Sequence, residues 1–217
     1  MNSEQLTQAE FDVHIANGTL RISFVGMSNA GKSYRSHVLQ EHMGFLWYQV
    51  DEEIQKALQF QTMEEISSWL GYPTEDTYSS REQKYLILEN QFTKNAAMHS
   101  GGKNLVFDTT GSVTHLEKNT LETLRGNCLV VHLDVGEDSL ESMIENFFLK
   151  PKPVCWGNYF GRNDNESPEI ALKRCYPVLL HDRLKNYRAL AHLNIPATLF
   201  FDTSAEETLA IIKSNLP

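Results

Sequence analysis

Apolar positions cluster in five short, near-continuous runs, at 20–25, 45–50, 105–107, 129–133 and 198–201. Runs that are apolar on successive rather than alternate residues predict strands buried on both faces, as in a parallel sheet covered by helices. Between the runs the spacing turns helical. Positions 34–43 read as one helix. Positions 63–70 read as another, with Ile66, Trp69 and Leu70 on one side and a stop at Gly71-Tyr72-Pro73. Positions 79–98 predict a longer helix whose buried face carries Tyr85, Ile87, Leu88 and Phe92, ending at Ser100-Gly101-Gly102. Ser204-Ala205-Glu206-Glu207 has the spacing of a capping box that opens the last helix. Strands alternating with helices predict an α/β fold of three layers, α/β/α, around a five-stranded parallel sheet. With no internal repeat or low-complexity segment, 1–217 is expected to form a single domain.

One stretch, 150–168, follows neither period. Lys150-Pro151-Lys152-Pro153 opens it, and Trp156, Gly157, Tyr159, Phe160, Gly161 and Arg162 follow. Prolines, glycines, cations and aromatics together predict an ordered but mobile loop. It is either a surface excursion or a lid insertion, with Lys150, Lys152 or Arg162 supplying positive charge over a bound ligand.

The turn after the first strand carries the most specific chemistry. Gly26-Met27-Ser28-Asn29-Ala30-Gly31-Lys32-Ser33 matches G-x-x-x-x-G-K-[ST] at every fixed position, between a strand and a helix. Gly26 and Gly31 allow the backbone to turn and bring its N–H groups against a polyphosphate. The N-terminus of the helix that follows adds positive partial charge at the same spot. Lys32 can reach terminal phosphates and the Ser33 hydroxyl can ligate Mg²⁺. The segment from Gly26 to Tyr34, including Ser28, Asn29, Ala30 and Gly31, is therefore the candidate site for ATP or GTP.

Composition narrows the rest. The net charge of −9 argues against a nucleic-acid surface, and no apolar run approaches the roughly 18 residues of a membrane span. Residues 1–17 hold three acids and no Lys or Arg, which predicts neither a secretory signal nor a basic transit peptide. Cys128, Cys155 and Cys175 form no pair motif, so free thiols in a reducing cytoplasm are expected. The eight His are scattered, no transition metal is expected, and His132 inside an apolar run reads as a satisfied core group. Oligomeric state is out of reach, a monomer being slightly favoured.

Two acids lie at strand ends, where ligands bind in open α/β sheets. Asp51 follows the second run; it can orient or deprotonate an acceptor hydroxyl, or simply cap the next helix. Asp108, in Leu105-Val106-Phe107-Asp108-Thr109-Thr110-Gly111, occupies a place suited to the Mg²⁺ shell. Arg81 and Arg183 could bind an acidic substrate or cover helix faces.

These features together resemble shikimate kinase and its relatives in the nucleoside-monophosphate-kinase-like P-loop group. The resemblance runs from about Leu20 to the C-terminus. It implies that Asp51, with Ile54 three residues on, binds substrate hydroxyls and serves as the base. It implies that Arg81, after Ile66 and Gly71, and Arg183, four residues before Tyr187, grip a substrate carboxylate. Three departures stand out. Gln49 occupies the position of a second metal-side acid. Thr109-Thr110-Gly111 replaces three glycines, leaving Gly111 against the substrate. No Arg occurs near Met143, so Lys150, Lys152 or Arg162 must supply lid charge and Asp108 the metal-side carboxylate. The resemblance implies MgATP-dependent phosphorylation of a small hydroxylated metabolite, shikimate or a related hydroxy acid or polyol.

Two other classes compete. Asp108-Thr109-Thr110-Gly111 and Thr203-Ser204-Ala205 resemble elements of a GTP-hydrolysing switch, although no [NT]-K-x-D segment precedes the latter. The loss of an acid at Gln49 also suits a catalytically weak nucleotide sensor.

Overall fold

A computed structural model describes residues 6–99, 101–149 and 154–217. Five parallel strands form one sheet: β1 (Arg21–Val25), β2 (Leu46–Gln49), β3 (Leu105–Asp108), β4 (Leu129–Asp134) and β5 (Leu193–Pro196). Their order across the sheet is β2-β3-β1-β4-β5. The helices are α1 (Gln8–Ala16), α2 (Lys32–Met43), α3 (Val50–Leu58), α4 (Met63–Leu70), α5 (Tyr78–Met98), α6 (Lys118–Asn127), α7 (Leu140–Leu149), α8 (Pro168–Leu190) and α9 (Ala205–Ser214).

The near-continuous apolar runs form the central strands because both faces are covered. On one side Val25, Phe107 and Val130 join the core with Ile54, Leu70, Tyr85 and Leu179. On the other, Ile22, Phe24, Val106 and Val131 pack with Leu39, Phe45 and Ile212. The chain leaves β1 toward β2 and β3 on one side and later fills β4 and β5 on the other. The strand order thus reverses at β1, and the crevice beyond its carboxyl end is where such sheets bind ligands. Among the described residues no helix is long and apolar enough to cross a membrane.

Local signals account for the helix ends. Gly44 closes α2 at a φ of 67°, its N–H returning to the Gln40 carbonyl. Thr62 with Glu65 and Ser204 with Glu207 form complete capping boxes on α4 and α9.

Three expectations need correction. The fifth strand is β5, not 198–201; residues 197–200 form a 3-10 turn. As an edge strand, β5 alternates buried Leu193 and Ile195 with exposed Asn194 and Pro196, and Pro is tolerated at such an edge. In the 198–201 run, Leu199 and Phe201 face solvent. The buried face of α5 includes Tyr85, but Ile87 is exposed and polar Glu89 and Thr93 are fully buried. His132 is buried, with Nδ1 2.9 Å from Asn194 Oδ1, yet its Nε2 has no hydrogen-bond partner among the described residues. The three thiols are free and buried.

Of the 150–168 stretch, residues 150–153 lie outside the described residues, Lys150 and Lys152 among them. From Val154 onward it is anchored. Trp156 is 1% exposed, its backbone N–H donates to Tyr78 Oη at 2.9 Å, and the Gly157 N–H donates to Glu82 Oε1 at 2.9 Å. The Arg174 guanidinium pairs with both Glu166 oxygens and the Gly161 carbonyl, fixing the far end. The aromatic residues Trp156, Tyr159 and Phe160 of this stretch pack against the core instead of lying over the surface.

Candidate functional site

The turn after β1 is shaped by backbone at positive φ. Gly26 has a φ of 141°, and a Cβ there would lie 2.9 Å from the Leu133 carbonyl oxygen. Asn29 (φ 65°) and Gly31 (φ 91°) adopt left-handed conformations that tighten the loop onto α2. Lys32 curls back over this loop, its Nζ donating to the carbonyl oxygens of Gly26 and Met27 at 2.9 Å each.

Beside it lies an acid held from two sides. Ser33 Oγ donates to Asp108 Oδ2 at 2.6 Å, and Trp47 Nε1 donates to Asp108 Oδ1 at 2.6 Å. Asp108 pairs in register with Phe24 of β1 and Gln49 of β2, so it sits at the carboxyl ends of three adjacent strands. A hydroxyl and a carboxylate oxygen are the hard donors that Mg²⁺ prefers, and they fit that ion beside the phosphate loop. Among the described residues no group of three or more His, Cys, Asp or Glu converges as a metal centre. A Mg²⁺ bound here would therefore depend on phosphate and water for its remaining ligands.

These groups open onto a cleft of about 720 Å³. Ser28, Asn29, Lys32, Ser33, Asp51, Asp108, Gly111 and Arg183, all singled out from the sequence, line it. Asp51 is not a helix cap: Gln49 occupies that position, and Asp51 lies in the first turn of α3. Tyr85 Oη donates to Asp51 Oδ1 at 3.3 Å. Burial, followed by the charge of Asp51, pushes the Tyr85 phenol well above its ordinary pKa, so it stays a donor.

Arg183 projects from α8 and is 6% exposed. Its Nη2 donates to the Cys155 carbonyl at 2.7 Å and its Nε to His115 Nε2 at 3.3 Å. Burial first, then the charge of Arg183, lowers the His115 pKa to about 4, which keeps the imidazole neutral and able to accept. Nη1 lies 3.6 Å from the position a Cβ would take on Gly111, whose carbonyl accepts from Tyr187 Oη. Arg183, Tyr187 and Gly111 thus converge on one wall.

Other residues lie elsewhere. Arg81 is outside the cleft lining; its Nη1 donates to the Trp69 carbonyl at 2.6 Å and lies 4.0 Å from Glu75. The last turn of α4 holds it there, so the expected pair of arginines does not meet in this structure. Arg162 is exposed beside Glu166. Tyr34 is 60% exposed, with the Arg35 guanidinium 4.5 Å from its ring centroid. Gly26, Ala30 and Gly31 shape the loop without lining the cleft.

Several contributors escaped the sequence reading. Glu89, fully buried one turn after Tyr85 on α5, accepts hydrogen bonds from Thr110 Oγ1 and from Ser112 Oγ, the latter at 2.6 Å. Burial raises its pKa to about 7, against the lowering effect of the Ser112 and Thr110 hydroxyls. Thr110 and Ser112 line the cleft, so Glu89 braces its floor from beneath. Met63, Met143, Phe147 and Tyr176 add an apolar wall. The only linear signal for Glu89 is its four-residue spacing from buried Tyr85; for Trp47 it is the two-residue spacing to Gln49.

Of the two segments that resembled a GTP switch, the one at Thr203-Ser204-Ala205 makes structural contacts. Arg35 Nη1 donates to the Thr203 carbonyl and hydroxyl oxygens, both at 2.8 Å, and Ser204 caps α9.

No family model matches the chain, and no curated protein sequence does. Solved structures do. Shikimate kinase from Bacteroides thetaiotaomicron superposes with a TM-score of 0.59 at 18% identity, over 90% of this chain and 97% of that one. Shikimate kinase from Acinetobacter baumannii, solved in complex with shikimate, gives 0.57 at 18% identity, over 91% and 93%. The Aquifex aeolicus enzyme gives 0.56 at 18% identity, over 91% and 96%. Together with the parallel sheet and the loop after β1, these similarities establish that the chain has the P-loop α/β/α fold of shikimate kinases.

Proposed function

We propose that this protein transfers the γ-phosphoryl group of ATP to a hydroxyl of a small metabolite. The observation that carries the reading is the convergence of Lys32, Ser33, Asp108 and Asp51 on one cleft at the carboxyl ends of the strands. The shared fold with shikimate kinases supports it.

In this mechanism the backbone of Ser28 to Ser33 cradles the phosphates. Lys32 exchanges its contacts with the Gly26 and Met27 carbonyls for the β- and γ-phosphates. Ser33 would hold Mg²⁺ and Asp108 would orient its water shell; bound there, the ion would supply divalent charge against the phosphates. Asp51 accepts a hydrogen bond from the acceptor hydroxyl and takes up its proton as the new P–O bond forms. Tyr85 keeps Asp51 aimed. Arg183 holds the acceptor in line, and positioning with electrostatics provides most of the acceleration.

The acceptor in this reading is a small hydroxylated metabolite, shikimate or a related hydroxy acid or polyol. In this structure Arg183 is the one guanidinium among the described cleft residues, which also include the carboxylates Asp51, Glu64 and Asp108. Shikimate or a related hydroxy acid fits if its carboxylate meets Arg183 alone. A neutral polyol fits if Arg183 donates to hydroxyls. ADP formation with ATP, and in parallel with GTP, across hydroxy acids, polyols and nucleosides tests this. Stimulation by one acceptor class with ATP supports the reading. GTP turnover indifferent to every acceptor supports a switch, and nucleotide binding without turnover supports a sensor.

A further inference from the structure

Asp108 is 6% exposed and both its oxygens are engaged. A carboxylate next to a hydroxyl ligand has one torsion by which it can turn away. Here the Trp47 indole N–H, which can only donate, closes that freedom by holding Oδ1 while Oδ2 faces Ser33. The indole is itself steadied: its ring meets the His37 ring edge-on, with centroids 5.7 Å apart and planes at 74°. His37 lies on α2, the helix that carries Lys32 and Ser33. Trp47 therefore ties β2, β3 and the helix behind the phosphate loop together through one side chain. Gln49, the register partner of Asp108, brings no second carboxylate to this point.

We propose that Trp47 is a positioning residue for the metal end of the nucleotide site: its indole N–H fixes the Asp108 carboxylate and so sets the Mg²⁺ requirement of nucleotide binding. This rests on the reading of the cleft as a Mg²⁺–nucleotide site. Partners that orient the groups around a metal typically change metal affinity by roughly 10–100-fold when removed. Trp47→Phe keeps an aromatic ring on the His37 side and deletes the N–H donor together with part of the indole's bulk.

The experiment is calorimetric titration of the purified chain with ADP, with and without Mg²⁺, in wild type, Trp47→Phe, Asp108→Asn and the double variant. The expected result is that Trp47→Phe raises the half-saturating Mg²⁺ concentration about tenfold and leaves Mg²⁺-free ADP affinity unchanged. Adding Trp47→Phe to Asp108→Asn is expected to change nothing further, because the indole acts through that carboxylate. An unchanged Mg²⁺ requirement in Trp47→Phe, or an equal loss with and without Mg²⁺, overturns the proposal while leaving the nucleotide site standing. A wild-type chain that binds no ADP overturns both. Should Trp47→Phe fail to fold, the wild-type indole resonances decide: the Trp47 N–H signal of the ADP-bound protein shifts when Mg²⁺ is added, and an unmoved signal refutes the role.

Discussion

Replacing Glu89 by glutamine removes a buried titrating group from beneath the cleft while preserving its size. Glu89 has no exposed surface, and burial raises its pKa from the ordinary 4.5 to about 7. Between those values the folded protein holds a proton that the unfolded chain has released. The stability this contributes is complete below pH 4.5 and is lost as the pH rises through about 7. At 1.36 kcal/mol per unit, the shift corresponds to about 3 kcal/mol. The wild-type profile alone conceals it. His115, lowered from 6.5 to about 4 by burial and then by Arg183, binds its proton less readily in the folded state, so its contribution grows as the pH rises through the same window. The two slopes oppose each other between pH 4.5 and 6.5, and the difference between variant and wild type isolates Glu89. Urea unfolding followed by circular dichroism, from pH 4.5 to 8, is the assay. Glu89→Gln is expected to gain about 3 kcal/mol on wild type across that range, most of it by pH 7. The Thr110 and Ser112 hydroxyls, 2.9 Å apart, can rearrange to accept from the new amide. A difference that stays flat within about 0.5 kcal/mol, the usual scatter of such comparisons, refutes the assignment of a proton to buried Glu89.

Lys32→Ala is expected to lower phosphoryl transfer by at least about 10³-fold, with the fold intact by circular dichroism; unchanged turnover removes Lys32 from the phosphate site. Arg183→Ala is expected to raise the acceptor KM about tenfold or more while the ATP KM moves little; equal effects on both reassign Arg183 to the nucleotide or to packing. Arg81→Ala is expected to change the acceptor KM less than about twofold, because Arg81 is held by the Trp69 carbonyl outside the cleft. A tenfold rise would show that Arg81 swings onto the acceptor after all.

The parts of this structure that were legible in the sequence are those determined by neighbours along the chain. The phosphate loop needs Gly26, Gly31, Lys32 and Ser33 at fixed spacing, and that spacing is visible without a fold. The Ser204–Glu207 capping box is equally local. Asp51, Asp108 and Arg183 could be named because strand ends and a resemblance located them. Contacts made across the sheet were not legible. Trp47 reads as one more apolar strand residue until β3 brings Asp108 alongside. Glu89 reads as a solvated helix residue until Thr110 and Ser112 turn toward it, and Ile87 reads as core although it faces solvent. β5 was missed because an edge strand alternates where the central strands do not. Arg81 holds a suggestive place in the sequence, but the carbonyl of Trp69 captures it.

The central claim is transfer to an acceptor, as distinct from hydrolysis, and phosphorus-31 NMR separates the two in one spectrum. With ATP, Mg²⁺ and the acceptor that most stimulates ADP formation, the expected spectrum shows ADP and a new phosphomonoester resonance growing together, with little inorganic phosphate. ADP accompanied only by inorganic phosphate, whatever acceptor is present, would contradict the kinase assignment.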